Sequence, residues 1–352
     1  MSSSDLPTLP AQPANVPFPT KAWPIAKPKA GTDTEKLEAL LDHAFGTKET
    51  EEMGETHALL VVQNGAIVTE RYAEGLSAQD SFPSWSMAKS ITHALTGILT
   101  RDGKIDINAP AYAPEWQGQD DPRKTITLDQ LLRMSSGLAF QEDYNPEHPS
   151  DVIEMLWGSG KDDVAHFAAS FPLAHAPDST WYYSSGTSNI VSRAVAHGLG
   201  SSSPEEFEAF MRSELFDPIG MKTVEPKFDA AGTFIGSSFC FSRARDFARF
   251  GLLYLRDGVW DGKRILPEGW ADYARTPTAQ TPENIEEDGG YGAHFWIGFG
   301  GPNTFSCNGF EGQYIVMVPE LDLILVRHGR TPTEKKTNTI AFMQDVIGCF
   351  KP

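Results

Sequence analysis

Basic residues are in short supply in this chain. Lys and Arg number 29 against 47 Asp and Glu, a formal net charge of −18. Nucleic acids and anionic membrane surfaces both reward a basic face, so neither is an expected partner. Cysteine is also scarce, with only Cys240, Cys307 and Cys349. An odd count without close spacing excludes a disulfide framework and a zinc cluster, and predicts three reduced, buried thiols. No apolar run approaches the roughly 18–20 residues that a membrane-crossing helix needs. The N-terminal stretch lacks both the basic and the apolar region of a secretory signal. The expectation from these absences is a cytoplasmic protein without membrane contact.

Proline is concentrated rather than scarce at the start, where seven of the 25 prolines fall within the first 28 residues. Residues 1–31 are therefore expected to form an extended arm laid over a domain, or a loose leader. With 352 residues, 40% of them hydrophobic, the rest can bury a large core and fill two domains or one composite.

Thr34–Gly46 carries leucines on one helical face and ends on a capping glycine. Two β-rich runs flank Asn64-Gly65, a strong hairpin signal. From Trp85 to Gly103 the apolar period becomes helical. Thr127-Leu-Asp-Gln130 reads as a capping box opening another helix. Helical pieces dominate to about residue 235, and Phe247–Leu255 is a further amphipathic helix. Tyr291–Phe299, Tyr314–Val318 and Leu323–Arg327 read as strands, and 338–350 as a helix. Strands near both ends with helices between predict an α/β (α+β) fold. In it, residues 32–105 and 236–352 form an α/β domain, an antiparallel sheet built from both termini and flanked by helices. Residues 106–235 form a mainly helical inserted subdomain, with the active site between the two.

Three clusters could carry chemistry. The first is Ser86-Met-Ala-Lys89 at the start of a strong helix. Residues three apart share a helical face, so the Lys89 amine can reach the Ser86 hydroxyl. A serine is a poor nucleophile until a base takes its proton, and a desolvated lysine can serve as that base. Taken alone, the same four residues would also suit a plain helix start with a solvated lysine. The second cluster, Trp181-Tyr-Tyr-Ser-Ser-Gly186, sets tyrosines beside small hydroxyl residues just before a helix. The third, Cys307-Asn-Gly-Phe-Glu-Gly312, spaces two glycines so that a strand start can approach another segment closely.

In order and rough spacing, Ser86-Met-Ala-Lys89, Tyr183-Ser-Ser185 and the Gly309–Gly312 strand resemble the serine β-lactamase and penicillin-binding-protein superfamily. Leu131-Leu-Arg-Met-Ser-Ser-Gly-Leu138, Leu215-Phe-Asp-Pro-Ile-Gly-Met221 and Ser242-Arg-Ala-Arg-Asp-Phe-Ala-Arg-Phe-Gly251 look like its LLxHTSGL, LFxPLGM and SARDLARFG segments. The class C and esterase-like branch fits best. Within it, Glu142-Asp-Tyr144, Trp181–Gly186 and Gly309–Tyr314 are similar to the 6-aminohexanoate-dimer hydrolases.

The resemblance implies the β-lactamase/transpeptidase-like fold and a hydrolase needing no metal or organic cofactor. It implies Ser86 as acylated nucleophile, Lys89 as its base and Tyr183 as the proton shuttle to the leaving group. The backbone N–H groups of Ser86 and Phe310 would hold the oxyanion. Tyr144, Ser185, Cys307, Asn308 and Gly309 would line the substrate site. Tyr182 is the alternative should Tyr183 not be the shuttle.

Two departures bear on the substrate. Ser185 stands where the family often has Asn, and Cys307-Asn308-Gly309 where it often has Lys-Thr-Gly or His-x-Gly. The cation that would bind a β-lactam carboxylate is therefore missing from the third motif. Lys336-Thr337-Asn338 mimics that motif but lies after the last strand, and reads as a solvated helix start. The partner expected is a small ester or linear amide, with neutral short-chain esters preferred over penicillins. The alternatives are a weak β-lactamase or D-amino-acid peptidase and, from a different class, a sensor that is acylated and stays so. The sequence leaves the oligomeric state open, a homodimer included.

Overall fold

A computed structural model describes residues 6–46, 49–142, 150–282 and 289–351. Seven strands make one antiparallel sheet. They are β1 (Glu55–Gln63), β2 (Ala66–Tyr72), β3 (Gly290–Tyr291), β4 (Trp296–Ile297), β5 (Phe305–Gly309), β6 (Gln313–Val318) and β7 (Leu323–Arg330). Their spatial order is β2-β1-β7-β6-β5-β4-β3, so the first hairpin docks on the last strand. Asn64 and Gly65 have φ of 49° and 73°, the left-handed pair that a two-residue hairpin turn needs.

The near-continuous apolar run of β1 follows from burial on both faces of the sheet. Ala58, Leu60 and Val62 point into one core, and Leu59 and Val61 into the other. The smaller core is closed by α1 (Thr34–Ala44) and α6 (Lys336–Gly348), through Leu37, Leu41, Met343 and Val346. The larger core packs α2 (Ala88–Arg101), α3 (Leu128–Leu132), α4 (Ser185–Leu199) and α5 (Ala244–Leu255) against the sheet as one apolar cluster. At the start of α3 the Thr127 hydroxyl accepts from the Gln130 N–H at 3.2 Å. The Gln130 side chain accepts from the Thr127 N–H at 3.0 Å, completing the expected capping box.

The N-terminal segment lies over the domain. Ala26 donates to Ile67 O and Ile67 donates to Pro24 O, both at 2.9 Å, which covers the exposed edge of β2. Trp23 is buried and its indole N–H donates to Arg245 O at 3.0 Å, while Arg249 Nε donates to Pro19 O at 2.7 Å. Cys240, Cys307 and Cys349 are all free and buried. Among the described residues no helix is long and apolar enough to cross a membrane.

Two expected elements are broken. The helix anticipated from Trp85 opens as a tight 3-10 turn, Trp85–Met87, before α2 begins at Ala88. The strand anticipated over Tyr291–Phe299 is split into β3 and β4, because Ala293 and His294 leave the sheet to donate to Ala274 O and Leu132 O. That detour lodges His294 behind α2.

Leu60 is fully buried at the centre of β1. Leu60→Ala should cost about 2–5 kcal/mol, the usual loss for an emptied core leucine, read as a lower urea midpoint. A loss below about 1 kcal/mol would mean that the centre of this strand is not packed as described.

Candidate active site

Ser86 occupies the 3-10 turn between the short strand Phe82–Pro83 and α2. Trp85, just before it, has φ of 44°, a left-handed conformation that costs a bulky residue about 1–3 kcal/mol. The strain is held by packing. The Trp85 ring meets those of Phe310, Phe239 and Trp157, with centroids 5.6, 5.9 and 6.3 Å away. Ser84 anchors the other side, donating its N–H to Cys240 O at 2.9 Å and accepting the Cys240 N–H on its hydroxyl at 3.0 Å. The corner leaves Ser86 half-buried at the wall of a cavity.

Lys89 is 2% exposed. Its Nζ lies 3.0 Å from Ser86 Oγ, 2.9 Å from Ser185 Oγ and 3.0 Å from Ser237 O. Burial pushes its pKa down to about 8, and the nearby Glu142 carboxylate pulls the other way. The surroundings are fixed in turn. Asn189 accepts the Ser237 N–H at 3.1 Å, which orients the Ser237 carbonyl. His294 Nδ1 sits 2.9 Å from Lys89 O, so that nitrogen carries the proton and Nε2 accepts from Ser188 Oγ at 3.1 Å. Burial and the Lys89 charge hold the His294 pKa down to about 3, so the ring is a neutral brace.

Tyr183 lines the cavity, and Lys89 Nζ lies 4.8 Å from its ring centroid. Trp296, Tyr291 and Trp181 surround that ring at 5.3, 5.9 and 6.5 Å. Its neighbour Tyr182 is turned elsewhere, its hydroxyl accepting the Glu142 N–H at 3.2 Å.

The end of β5 forms the facing wall. A Cβ on Gly309 would lie 2.4 Å from Ser84 O, so only glycine lets the strand come this close to the Ser84–Ser86 corner. The half-exposed Phe310 and the rest of the turn Phe310–Gly312 continue the cavity wall past it. Asn308 lines the cavity and accepts from Ser306 Oγ at 2.7 Å.

Three expectations need correction. Cys307, anticipated as a substrate contact, faces the large core, because successive residues of a strand point to opposite faces. Burial pushes its thiol pKa up to about 12. Ser185 is 1% exposed and bonds Lys89 rather than the cavity. Lys336 does open a helix, but it is half-buried and lines the cavity instead of standing in solvent. Tyr144 lies outside the described residues.

Glu142 was legible only as part of a resemblance, yet its carboxylate meets Ser185 twice. It accepts from Oγ at 2.9 Å and from the N–H at 2.5 Å. That N–H is one of the unpaired donors of the first turn of α4, a natural place for an anion. Burial raises the Glu142 pKa, and Lys89 and Ser185 oppose the rise. The cavity lined by Ser86, Glu142, Tyr183 and Asn308 measures about 240 Å³, the scale of a small molecule.

A serine hydroxyl, a buried amine of lowered pKa and a glycine-tethered strand end thus meet around one cavity. The beta-lactamase family profile matches residues 41–344. The chain belongs to the beta-lactamase family. This family member is 24% identical over 316 residues to 6-aminohexanoate-dimer hydrolase of Paenarthrobacter ureafaciens, covering 84% of this chain and 78% of that one.

Solved structures share its fold. One from Bacillus anthracis, provisionally described as a 6-aminohexanoate-dimer hydrolase, superposes with a TM-score of 0.73 at 22% identity, over 95% of this chain and 88% of that one. A penicillin-binding-protein homologue of Caulobacter crescentus gives 0.69 at 13%, over 92% and 99%. A family VIII carboxylesterase gives 0.67 at 14%, over 92% and 99%. The protein is a serine hydrolase of the esterase/amidase type.

Gly309 is the point where the strand end meets the Ser84–Ser86 corner. Gly309→Ala should lower kcat/KM for p-nitrophenyl esters by about 10²-fold, the usual result of an ångström-scale misplacement, while the thermal melt stays cooperative. Wild-type kcat/KM in this variant would show that the contact does not set the catalytic distance.

Proposed function

We propose that the protein cleaves a small ester or linear amide through an acyl-enzyme on Ser86. The observation that carries this reading is the Lys89 amine, 3.0 Å from Ser86 Oγ with its pKa brought down to about 8. Near neutral pH a useful fraction of that amine is a free base. Ser86 Oγ attacks the carbonyl carbon as its proton passes to Lys89. The oxyanion is held by the N–H groups of Ser86 and Phe310. The tetrahedral species collapses as the leaving alcohol or amine takes up a proton through Tyr183, coupled to Lys89. Water, activated by the same amine, then adds to the acyl carbon and restores Ser86. A proton-transfer group in this position contributes about 10²–10⁴-fold.

For the substrate, the third motif offers only neutral groups, which supports uncharged acyl chains. Lys336 supports a second class. Its side chain lines the same cavity from the start of α6, and an ammonium there suits a linear amide carrying a distal carboxylate. A carboxylate in a partly dry site needs such a partner, since leaving it unpaired costs several kcal/mol.

Ser86→Ala should abolish ester hydrolysis and keep the wild-type melt. A fluorophosphonate should label Ser86 in the wild type, read by peptide mass spectrometry, and labelling of another residue would sink the mechanism. Tyr183→Phe should lose about 10²-fold or more in kcat. Near-full activity would remove Tyr183 from the shuttle role.

The substrate reading is tested by kcat/KM for p-nitrophenyl butyrate against nitrocefin, expected well above one. A ratio below one would favour a β-lactamase. Lys336→Ala should weaken turnover of a carboxylate-bearing linear amide dimer and spare the butyrate ester. An equal effect on both would remove Lys336 from substrate recognition.

A further inference from the structure

The hydrogen-bond chain behind the nucleophile has a direction, and Glu142 sets it. Ser86 Oγ, Lys89 Nζ, Ser185 Oγ and Glu142 Oε1 follow one another at 3.0, 2.9 and 2.9 Å. Each link has a limited supply of protons. An ionised carboxylate only accepts, so the single hydroxyl proton of Ser185 points at Glu142. Ser185 Oγ can then only accept from Lys89. The Ser237 carbonyl, 3.0 Å from Nζ, also only accepts. A neutral amine has two hydrogens and one lone pair. With both hydrogens committed to Ser185 and Ser237, the lone pair faces the remaining neighbour, Ser86 Oγ.

We propose that Glu142 is a positioning residue: by holding the Ser185 hydroxyl proton it turns the basic lone pair of Lys89 towards the nucleophile. This rests on the Ser86–Lys89 reading above. Glu142 also accepts the backbone N–H of Ser185, so its carboxylate is fixed at two points on the first residue of α4. Its place at the helix N-terminus favours the ionised form that the argument requires. The role needs no contact between Glu142 and the reacting carbonyl.

An amide in this place reverses the order. In Glu142→Gln the side-chain oxygen can still accept the Ser185 N–H, but the amide nitrogen must donate to Ser185 Oγ. The Ser185 proton then swings towards Lys89 and occupies its lone pair. Lys89 turns a hydrogen towards Ser86, and the nucleophile faces a donor instead of a base.

The substitution also removes a negative charge that favours the ammonium form of Lys89. The Lys89 pKa should therefore fall. Because turnover needs the neutral amine, the acid limb of kcat/KM moves to lower pH even as the plateau drops. The other titratable groups packed here do not mask this. His294 is neutral above about pH 3, and burial pushes the Tyr291 pKa well up. Tyr183 stacks over Lys89, Tyr182 caps the Glu142 N–H, and Glu311 and Lys336 share the cavity lining. All four are present in both enzymes.

The experiment is the pH profile of kcat/KM for p-nitrophenyl butyrate in wild type, Glu142→Gln and Glu142→Asp. Wild type should rise through about pH 8, the Lys89 value. Glu142→Gln should lose about 10²-fold at the plateau, with its limb at lower pH and KM little changed. Glu142→Asp keeps the charge, so its limb should stay at the wild-type pH with activity between the other two.

A Glu142→Gln enzyme within about threefold of wild type would overturn the proposal. So would a large loss with the limb unmoved, the mark of a structural defect. If Glu142→Gln does not fold, a Glu142→Asp limb displaced from wild type would overturn it equally. Fluorophosphonate labelling separates this from the underlying reading. A wild type unlabelled at Ser86 fails the mechanism as a whole. Ser86 labelling at the wild-type rate in Glu142→Gln fails only the assignment of Glu142.

Discussion

A lysine amine cannot be sealed inside a protein as a free ammonium without heavy cost, and it cannot be sealed there neutral without something to accept its hydrogens. Lys89 meets both demands. Burial weakens its hold on the proton, and three oxygen atoms surround the nitrogen. These come from residues 3, 96 and 148 positions away in the chain. Ser86 arrives by helical spacing, Ser185 on the first turn of α4, and Ser237 on the loop ahead of the short strand Cys240–Ser242. The large core that joins α2, α4 and the sheet is what keeps those segments in register around one nitrogen.

The second demand is closeness. An acyl-transfer site needs donors beyond the nucleophile, near where the oxyanion forms. Here the end of β5 comes so near the Ser84–Trp85 corner that there is no room for a Cβ at Gly309. The left-handed Trp85 belongs to the same contact, since its ring packs edge-on against Phe310. Strain at the corner and absence of a side chain on the strand are two halves of one fit. Aromatic packing around Trp85 supplies the energy that holds it.

What could be read in the sequence was local. The Asn64-Gly65 turn, the Thr127–Gln130 capping box, the apolar face of α1 and the three-residue step from Ser86 to Lys89 all need only neighbours in the chain. The rest was long-range. Glu142 meets Ser185 across 43 positions, and neither residue carries a pattern that announces the other. Lys336 reads as a helix start and is one, but its place at the cavity depends on how α6 folds back over the sheet. Cys307 was misplaced because a motif names three consecutive residues, while a strand shows only alternate ones to each side. The split between β3 and β4 was hidden in the same way. An aromatic-rich run looks like one strand until His294 is needed beneath α2.

The formal charge of −18 invites the conclusion that anionic substrates are turned away, and that conclusion does not follow. At physiological salt the field of exposed carboxylates fades over about 8 Å. Inside a small cavity the local groups decide, and here they carry both signs, with Glu142 and Glu311 against Lys336. Glu142 is already engaged with Ser185, and Glu311 lies 3.7 Å from Arg330. Much of the negative charge in the lining is thus already committed within the protein. A net negative surface disfavours polyanions at long range, while a small molecule inside the cavity would meet the local pairing instead. Charge at the two scales answers to different physics: the net charge acts at a distance and is screened by salt, whereas the cavity groups act at contact.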